Sequence, residues 1–533
     1  MNDRNRVLNC TPSAHKMGFL VLCLYTTWFY HIGGTLYGQG IIADTVIYKV
    51  VSERPLIAEV LRSTEVQSAS PAILFYFGGG WISGSIDHLR PQAQYLAKQG
   101  MICILVDYRT ASSHGTTPFA SLEDATDAMQ YFYRNADEYL IDTNRIVAAG
   151  GSAGGQLAAA TALCAAYSDA SFIPKALILY NPVIDNGPGG YGHERIGAAY
   201  PDFSPIHNIR KGAPPTLFML GDSDNLIPVS TGYRYKEKMD SIGSRCELLI
   251  YSNQTHGFFN PHNSKYFQET LFQSHLFLYQ EGFIRNPPEI SRPLLIGHAH
   301  NDYRHENPLE DALLQGFLSV EADVLYRRNR LWVGHDRTDL NDPHIKDLEQ
   351  LYLKPLYHKY ESGVFPFDSN QDQPFNLWID IKYSGDSTLA SLRKMIAPYH
   401  SMLQYIENGE LKQGAVQLIL SGDRPFTALN FDSLEYFFID GRPGNLDDGL
   451  YSNIVMPYIS ENIDKIVGPV GDAFSEVQAA DLRAFVFKCH EAGFKVRCWN
   501  TPDNIVAWEV LKNVGVDLIN TDLLKPLRAY FFR

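Results

Sequence analysis

The sequence predicts an α/β protein with two large domains in series, the first built around an open parallel sheet and the second around a closed eight-stranded barrel. Three observations support this prediction. The chain has 533 residues, too many for one small module at about 150 residues per domain. Short apolar runs alternate with helical patterns along both halves, as in parallel sheets covered by helices. A segment with three prolines, residues 285–293, interrupts this alternation near the middle of the chain.

Composition excludes several classes of protein. Hydrophobic residues form 45% of the chain and charged residues 20%, so extensive disorder is excluded. The net charge of −14 has the wrong sign for a protein that neutralises phosphate backbones, and we expect no nucleic-acid partner. Residues 289–533 contain 24 basic and 35 acidic residues, so most of the excess of acidic over basic residues lies in this half. That surplus would suit a cation site, although a solvated acidic surface is the commoner explanation.

Residues 1–38 are predicted to be an export signal. Three basic residues precede an apolar run at 17–30, and glycines follow up to position 40. The run is shorter than the roughly 20 residues of a membrane-spanning helix. We therefore expect a secreted or periplasmic protein without a stable transmembrane anchor, and a retained anchor is the alternative. Cys23 follows Leu22, where a lipoprotein signal prefers a small residue, so lipid anchoring has little support.

The five cysteines beyond the signal show no C-x-x-C spacing, so the sequence contains no zinc or thiol redox motif. Cys103 lies in an apolar run and is predicted to be a small core residue. Cys489 and Cys498 could pair if the fold brings them together, which the spacing does not decide.

The first predicted domain spans residues 45–285. Its strand-like runs lie at residues 72–77, 102–108, 145–149, 176–180, 216–220 and 247–251. Apolar residues at helical spacing over 266–279 predict a closing amphipathic helix. This alternation predicts a mostly parallel sheet with helices on both faces.

Residues 150–154 of this domain read Gly-Gly-Ser-Ala-Gly and lie between a predicted strand and a predicted helix. The glycines permit the strained turn that lifts the hydroxyl of Ser152 above the sheet, and the helix N-terminus favours developing negative charge. Asp224 and His256 follow later strands, in the order serine, acid, histidine. Asp222 is an alternative acid.

These motifs resemble the hormone-sensitive-lipase-like and carbohydrate-esterase-like α/β hydrolases over residues 45–285. The matching segments are Gly-Gly-Gly-Trp at 78–81, the serine motif, residues 221–228 and His-Gly-Phe at 256–258. The resemblance implies that Ser152 is the nucleophile, His256 the base and Asp224 its orienting acid. It also implies that the backbone amides of Gly78, Gly79 and Ala153 stabilise an oxyanion. Phe77 stands where the family has a histidine that organises this loop.

The second predicted domain spans residues 290–533. Its strand-like runs lie at 294–296, 318–324, 331–333, 376–381, 416–420, 436–439, 495–499 and 516–519. Eight runs in this length match the rhythm of a (β/α)8 barrel. Asn307, followed by proline, is predicted to cap a helix after the first strand.

Carboxylates and histidines end several of these runs. Glu321 and Asp323 are two residues apart on one strand, so their side chains share a face, and Asp380 and Lys382 form a second such pair. Histidines occur at the ends of two further runs, at positions 298, 300 and 335. Because barrel active sites lie at the strand C-termini, we expect these groups to converge. Oxygen ligands suit Mg²⁺ or Ca²⁺, and histidines suit acid–base catalysis on a phosphodiester.

This half resembles the glycerophosphodiester phosphodiesterase and phosphatidylinositol phospholipase C-like barrels, and within them the altered-inheritance-of-mitochondria protein 6 branch. The matching segments are G-H-A-H-N-D-Y at 297–303, S-V-E-A-D-V at 319–324, L-W-V-G-H at 331–335 and R-C-W-N-T-P-D at 497–503. The resemblance implies a TIM-type (β/α)8 fold with an acid/base pair, His298 and His335. It implies that the divalent cation is held by Glu321, Asp323 and Asp380.

Ala299 and His300 replace the Arg and Gly of the glycerophosphodiesterase H-R-G motif, so a phosphate-binding arginine is missing from its usual place. Candidate substrate-binding residues in this half are His300, Lys382, Arg497 and Trp499.

Three functional hypotheses follow. The first is a secreted hydrolase in which a serine carboxylesterase is fused to a metal-dependent phosphoric diester hydrolase, acting on small-molecule, lipid or carbohydrate esters and phosphodiesters. In the second, one domain is a degenerate binding module, as Phe77 and the missing arginine would suggest. In the third, the first domain is a serine peptidase, because esters and amides share the triad chemistry.

Overall fold

The computed structural model describes residues 32–37, 40–290, 292–367 and 373–532. The predicted signal lies outside these ranges except for residues 32–37, which form an edge strand of the first sheet. The first domain therefore begins before the predicted boundary at residue 45. Within the described ranges, no helix has both the length and the hydrophobicity needed to cross a bilayer.

The first domain is a nine-stranded sheet with the order β1-β2-β3-β5-β4-β6-β7-β8-β9. Pairing is antiparallel from β1 to β5 and parallel from β5 through β4 to β9. The strands are β1 (Ile32–Tyr37), β2 (Ile41–Val51), β3 (Arg54–Ser63), β4 (Ser70–Tyr76), β5 (Ile102–Val106), β6 (Ile141–Gly151), β7 (Ala176–Tyr180), β8 (Thr216–Gly221) and β9 (Cys246–Tyr251).

Helices cover both faces of this sheet. They are α1 (Arg90–Lys98), α2 (Ala111–His114), α3 (Pro118–Arg134), α4 (Ala153–Leu163), α5 (His193–Ile196), α6 (Tyr200–Phe203), α7 (Val229–Ser241) and α8 (Ser264–Gln280). Successive residues of β4 alternate between two cores, with Ile73 and Phe75 packing on one side and Leu74 and Tyr76 on the other. This alternation is why the buried interior of the central strands is apolar at successive positions.

The second domain is a closed barrel of eight parallel strands, in which the first strand pairs with both the second and the last. The barrel strands are β10 (Gly297–Ala299), β11 (Ser319–Arg327), β13 (Phe375–Ile381), β16 (Val416–Gly422), β18 (Phe437–Gly441), β19 (Tyr458–Asn462), β20 (Lys495–Trp499) and β21 (Leu518–Thr521). Outside the barrel lie β12 (Arg330–Val333), β14 (Tyr405–Glu407), β15 (Glu410–Lys412) and β17 (Leu434–Glu435). The helices of this domain are α9 (Glu310–Leu314), α10 (Lys354–Ser362), α11 (Gly385–Met395), α12 (Asn445–Asp448), α13 (Ile463–Val467), α14 (Glu476–Glu491), α15 (Ile505–Val514) and α16 (Leu524–Phe531).

Three local predictions for the barrel are wrong. The run at 331–333 is not a barrel strand, because β12 pairs antiparallel with β11 as a hairpin. The missing barrel strand is β19, whose Ser460, Glu461 and Asn462 gave it too little hydrophobicity to be recognised. The helix after the first strand begins at Glu310, and Asn307 does not cap it.

The two domains contact each other through α16, which packs against β9. Ala529 is buried in one of the two cores of the hydrolase sheet. Lys525 donates to Glu247 Oε2 of β9 and, over 2.7 Å, to Gln280 Oε1 of α8. The last helix of the barrel thus completes the covering of the first domain.

Cysteine pairing does not occur among the described residues. Cys489 and Cys498 are both buried as free thiols, and Cys103 is a buried core residue as predicted.

Candidate active sites

The turn between β6 and α4 carries Ser152. Ser152 has φ 54° and ψ −119°, a strained conformation for a residue with a side chain and one typical of functional turns. The flanking glycines are required because a Cβ at Gly150 would lie 2.2 Å from the Gly154 carbonyl oxygen, and one at Gly154 would lie 2.0 Å from that of Tyr76. The hydroxyl therefore stands at the carboxyl edge of the sheet, where β8 and β9 also end.

Ser152, His256 and Asp224 form a continuous hydrogen-bonded line. Ser152 Oγ lies 2.8 Å from His256 Nε2, and His256 Nδ1 lies 2.7 Å from Asp224 Oδ2. The other oxygen of Asp224 accepts the amides of Leu226 and Ile227, at 2.8 and 2.9 Å. Asp222 does not reach the imidazole and accepts the amide of Asn253 instead. Asp224 is therefore the acid of this line.

The predicted oxyanion donors differ in whether their amides already have a hydrogen-bond acceptor. The amide of Gly78 donates to His88 Nδ1 over 2.9 Å, so the prediction that Gly78 is a free donor is wrong. Within the described residues, the amides of Gly79 and Gly80 have no protein acceptor. Ala153 is the first residue of α4, so its amide has no partner within the helix. The available donors are therefore Gly79, Gly80 and Ala153.

Phe77, which occupies the position of the family histidine, anchors the glycine loop by packing. Its ring stacks on Tyr108 with centroids 4.0 Å apart, and the Tyr108 hydroxyl donates to the Phe77 carbonyl over 2.7 Å. His88 holds the loop by accepting the hydrogen bond of the Gly78 amide. Burial lowers the pKa of His88, which favours the neutral imidazole that can accept this bond. Sequence reasoning missed His88 because nothing local links it to the loop.

A pocket of about 430 Å³ surrounds Ser152 and His256. It shares Tyr191 and Leu226 with an open groove of about 930 Å³. Ser152 is thus accessible to a substrate that extends beyond the pocket.

In the barrel, Glu321, Asp323 and Asp380 converge as predicted, and one oxygen of each lies within 4.8 Å of the others. Asp323 is fully buried, and its Oδ1 has no partner among the described groups. A buried carboxylate oxygen without a partner is costly. The three oxygen donors and this orphaned atom fit a divalent cation with oxygen ligands, such as Mg²⁺ or Ca²⁺.

Two basic side chains balance this cluster. Lys382 Nζ lies 2.6 Å from Asp380 Oδ2 and 2.8 Å from Asp323 Oδ2. Arg497 is buried inside the barrel, where it donates to Glu321 and to Asn520. Burial alone would raise the pKa of Glu321, but Arg497 and His298 hold it below its usual value. Burial and the charge of Glu321 raise the pKa of Asp380.

The two histidines predicted as an acid/base pair have different surroundings. His335 Nδ1 lies 2.7 Å from Asp323 Oδ2, and its side chain is 45% exposed. His298 is fully buried, with Nδ1 2.8 Å from Ser319 Oγ and Nε2 3.2 Å from Glu321 Oε2. Burial, with Arg497 nearby, lowers the pKa of His298 to about 4. Because both of its ring nitrogens are occupied inside the wall, the predicted proton-transfer role does not fit His298, whereas His335 is open to the mouth.

The remaining candidates divide between the rim and the interior. His300 lies at the rim, with Nδ1 3.0 Å from Asp522 Oδ1. Trp499 is half-buried at the end of β20. Arg497 is buried, and its guanidinium lies over the ring of Trp378, 4.7 Å from the ring centroid. Most of the predicted residues of the barrel therefore lie near one another, but some are exposed and others are buried.

Comparisons with known proteins relate the two halves of the chain to two different families. Residues 73–196 match a family model described as an alpha/beta hydrolase fold, and residues 291–440 match the AIM6-like phosphodiesterase domain. The first half of the chain is therefore an esterase-like α/β hydrolase domain. The second half is an AIM6-like phosphodiesterase domain in a closed barrel.

Individual relatives match one half each. An altered inheritance of mitochondria protein 6 homolog from Arthroderma benhamiae is 27% identical over 46% of this chain and 88% of its own length. An AB hydrolase superfamily protein of Schizosaccharomyces pombe is 36% identical over 25% of this chain and 39% of its own length. The native structure of an esterase from Thermogutta terrifontis is 35% identical over 46% of this chain and 95% of that one, with a TM-score of 0.44.

Proposed function

We propose that the first domain is a serine carboxylic ester hydrolase. The single observation that carries this proposal is the hydrogen-bonded line from Ser152 through His256 to Asp224. His256 takes the proton of Ser152 as the hydroxyl oxygen attacks the ester carbonyl, and it then returns a proton to the leaving alcohol. The amides of Gly79, Gly80 and Ala153, which have no backbone acceptor among the described residues, would stabilise the oxyanion. Water releases the acyl group by the same steps.

Ser152→Ala tests this proposal. We expect the variant to lose at least about 10⁴-fold in kcat on p-nitrophenyl acyl esters, as triad nucleophile variants do. Ser223→Ala, which removes an exposed hydroxyl close in sequence to Asp224, is the matched control and should keep full activity. A wild-type protein that cleaves aminoacyl anilides and not esters would favour the peptidase alternative. Esterase activity retained by Ser152→Ala would overturn the assignment.

We propose that the second domain is a metal-dependent phosphoric diester hydrolase. The observation that carries it is the convergence of Glu321, Asp323 and Asp380, with the orphaned Asp323 Oδ1. A divalent cation held by these carboxylates would stabilise negative charge on a phosphoryl oxygen. Lys382 adds positive charge beside them, and His335, oriented by Asp323 through Nδ1, would accept the proton of the attacking oxygen at Nε2.

Cation binding is measured without relying on activity. We expect Mg²⁺ or Ca²⁺ to raise the Tm of the wild type, because a ligand that binds the folded state stabilises it. Asp323→Asn should lose this shift, whereas Asp386→Asn, which alters an exposed acid of the same domain, should keep it. Hydrolysis of bis(p-nitrophenyl) phosphate should stop on chelation and return with the cation. An identical Tm shift in Asp323→Asn would refute the cation site.

We further propose that the protein is exported and that both domains are active on ester and phosphodiester substrates. Because residues 32–37 pair with β2, this proposal favours cleavage before Ile32 over cleavage at residue 38, where the predicted signal ends. N-terminal sequencing of the mature protein tests it. If only one of the two activities can be measured on the whole chain, the other domain is a binding module.

A further inference from the structure

A second group of charged side chains lies at the barrel mouth beside the carboxylate cluster. Ile419 of β16 and Phe438 of β18 pack together inside the barrel. Ser421 and Asp440 lie two residues later on the same strands, so their side chains share this inward face. Ser421 pairs in register with Asp380 of β13, and its hydroxyl donates to Asp440 Oδ2 over 2.7 Å. Asp440 therefore faces into the mouth from the same wall as Asp380.

Two arginines converge on Asp440. Arg442 Nη1 donates to Asp440 Oδ2 over 2.6 Å and to the Gly441 carbonyl over 2.9 Å, and its side chain is 28% exposed. Arg424 donates to the backbone carbonyl of Asp440, and its Nε is buried without a partner among the described residues. Because a guanidinium has five N–H donors, both arginines keep donors that a ligand could use.

The two guanidiniums share one carboxylate. Asp440 pairs with Arg442 through its side chain, whereas Arg424 reaches only its backbone carbonyl. Burial and the positive charge of Arg442 lower the pKa of Arg424, and the charges of Asp440 and Asp380 oppose this shift. One carboxylate does not neutralise two guanidiniums, so the local excess of positive charge favours an anion.

The arginines lie beyond the reach of a single phosphoryl group at the carboxylate cluster. Strand β16 lies between β13 and β18, so Asp380 and Asp440 are two strand spacings apart, on the order of 9 Å along the wall. The contacts with Asp440 hold both guanidiniums on its side of the mouth. A group bound by Arg424 and Arg442 is therefore a neighbour of the phosphodiester that the cluster would bind, and not the diester itself.

A cavity beside Arg424 leaves room for such a group. Its volume is about 600 Å³, within the range of small-molecule sites, and Ser384 and Thr427 are part of its lining. Asp386 and Asp423 also line it, but both are exposed, so solvent screens their charge more than that of the half-buried Arg424. The cavity therefore suits a polar group that Arg424 can contact.

We propose that Arg424 and Arg442 bind a second anionic group of the barrel's substrate, a carboxylate or a phosphate that lies beside the scissile phosphodiester. This inference rests on the proposed phosphodiesterase function and deepens it, because it narrows the substrates to phosphodiesters with an additional oxyanion. The planar fork of a guanidinium binds either oxyanion through paired N–H donors. Both arginines are binding residues and take no part in proton transfer.

Matched pairs of diesters test the proposal. Glycerophosphoserine differs from glycerophosphoethanolamine by one carboxylate, and glycerophosphoglycerol is compared with its terminal phosphate. We expect the wild type to prefer the more anionic member of at least one pair by about tenfold or more in kcat/KM, the size of one charge-assisted hydrogen bond. The pair that shows the preference distinguishes a carboxylate from a phosphate.

Variants of Arg442 assign this preference to the arginines. Arg442→Gln should reduce it to about threefold or less, mainly through KM, because the lost contact is made in the ground state as well. Arg442→Lys keeps the charge without the fork and should show an intermediate preference. Arg483→Gln, which alters an exposed arginine of α14, is the control and should keep the full preference.

Anion binding is also measured without turnover. In the cation-free protein, inorganic phosphate should raise the Tm of the wild type and of Arg483→Gln but not that of Arg442→Gln. No shift in the wild type, or an equal shift in Arg442→Gln, would overturn the proposal.

The substrate comparison can fail separately. A wild type without preference in either pair, or a preference unchanged in Arg442→Gln, would also overturn the proposal. If Arg442→Gln does not fold, a full preference in Arg442→Lys would do the same. If the wild type cleaves no diester, the proposed phosphodiesterase function has failed, and the phosphate-dependent Tm shift alone then decides whether the arginines bind an anion.

Discussion

His88 Nδ1 lies 2.9 Å from the backbone nitrogen of Gly78 and accepts its hydrogen bond. The ring also packs against Phe259, with centroids 5.6 Å apart. His88 therefore binds the Gly78 amide, which the sequence analysis predicted to be an oxyanion donor. It also holds the loop that contains the next two amides, those of Gly79 and Gly80. Phe77, the residue before the glycines, stacks on Tyr108, so aromatic packing also supports this loop.

Replacing His88 should impair acyl transfer more than substrate binding. Losing one oxyanion donor costs about 10²–10³ in kcat, and a loop that loses one anchor should lose part of this, on the order of tenfold. We expect His88→Ala to lower kcat on p-nitrophenyl esters with little change in KM. His88→Gln, which offers an acceptor oxygen, should recover part of the rate.

The exposed His262 provides the control, since His262→Ala should leave both constants unchanged. A rise in KM alone for His88→Ala would assign His88 to substrate binding instead of loop positioning.

The triad could be predicted from the sequence because each of its members follows a strand directly. Ser152, Asp224 and His256 needed only the rule that parallel strands end at one edge of the sheet. The role of His88 could not be predicted, since it depends on how a short 3₁₀ turn folds back on the glycine loop. The spacing of the glycines alone could not show which of their amides would donate to His88.

In the barrel, too, some features could be predicted from the sequence and others could not. The same-face pair Glu321 and Asp323 followed from strand geometry. The assignment of the run at 331–333 as a barrel strand failed because a hairpin strand packed on one face has the same local pattern as a barrel strand. His298 and His300 are two residues apart, and only the tertiary structure shows that one is buried in the wall and the other paired with Asp522.

Lys525 should be important for stability because it joins the two domains. Its ammonium contacts Glu247 and Gln280, and both members of the ion pair are largely buried. Removing one partner of a buried pair leaves the other without full compensation, although Arg245 also pairs with Glu247 and reduces the cost. We expect Lys525→Met to lower the free energy of unfolding by about 1–2 kcal/mol, measured by urea denaturation of the whole chain.

Lys412→Met provides a matched control. It breaks an ion pair with Glu410 whose members are exposed, and such pairs contribute little to stability because solvent screens them. If the two variants lose the same stability, the contact between α16 and β9 does not couple the domains.

Acid should destabilise the first domain through His275. Its Nε2 lies 2.9 Å from the carbonyl oxygen of Asn286 and its Nδ1 lies 2.8 Å from the Tyr95 hydroxyl, in a buried position. Burial lowers the pKa of His275, and the hydrogen bond to Asn286 opposes this only in part. The unfolded chain, with a histidine pKa of about 6.5, therefore binds more protons than the folded chain below that pH. Stability is then highest above about pH 6.5 and falls as the pH decreases toward the pKa of His275 in the folded chain.

His275→Gln should show a shallower loss of urea midpoint between about pH 6.5 and 5 than the wild type, whereas the exposed control His344→Gln should follow the wild type. A slope in His275→Gln equal to that of the wild type would mean that other buried groups account for the acid sensitivity.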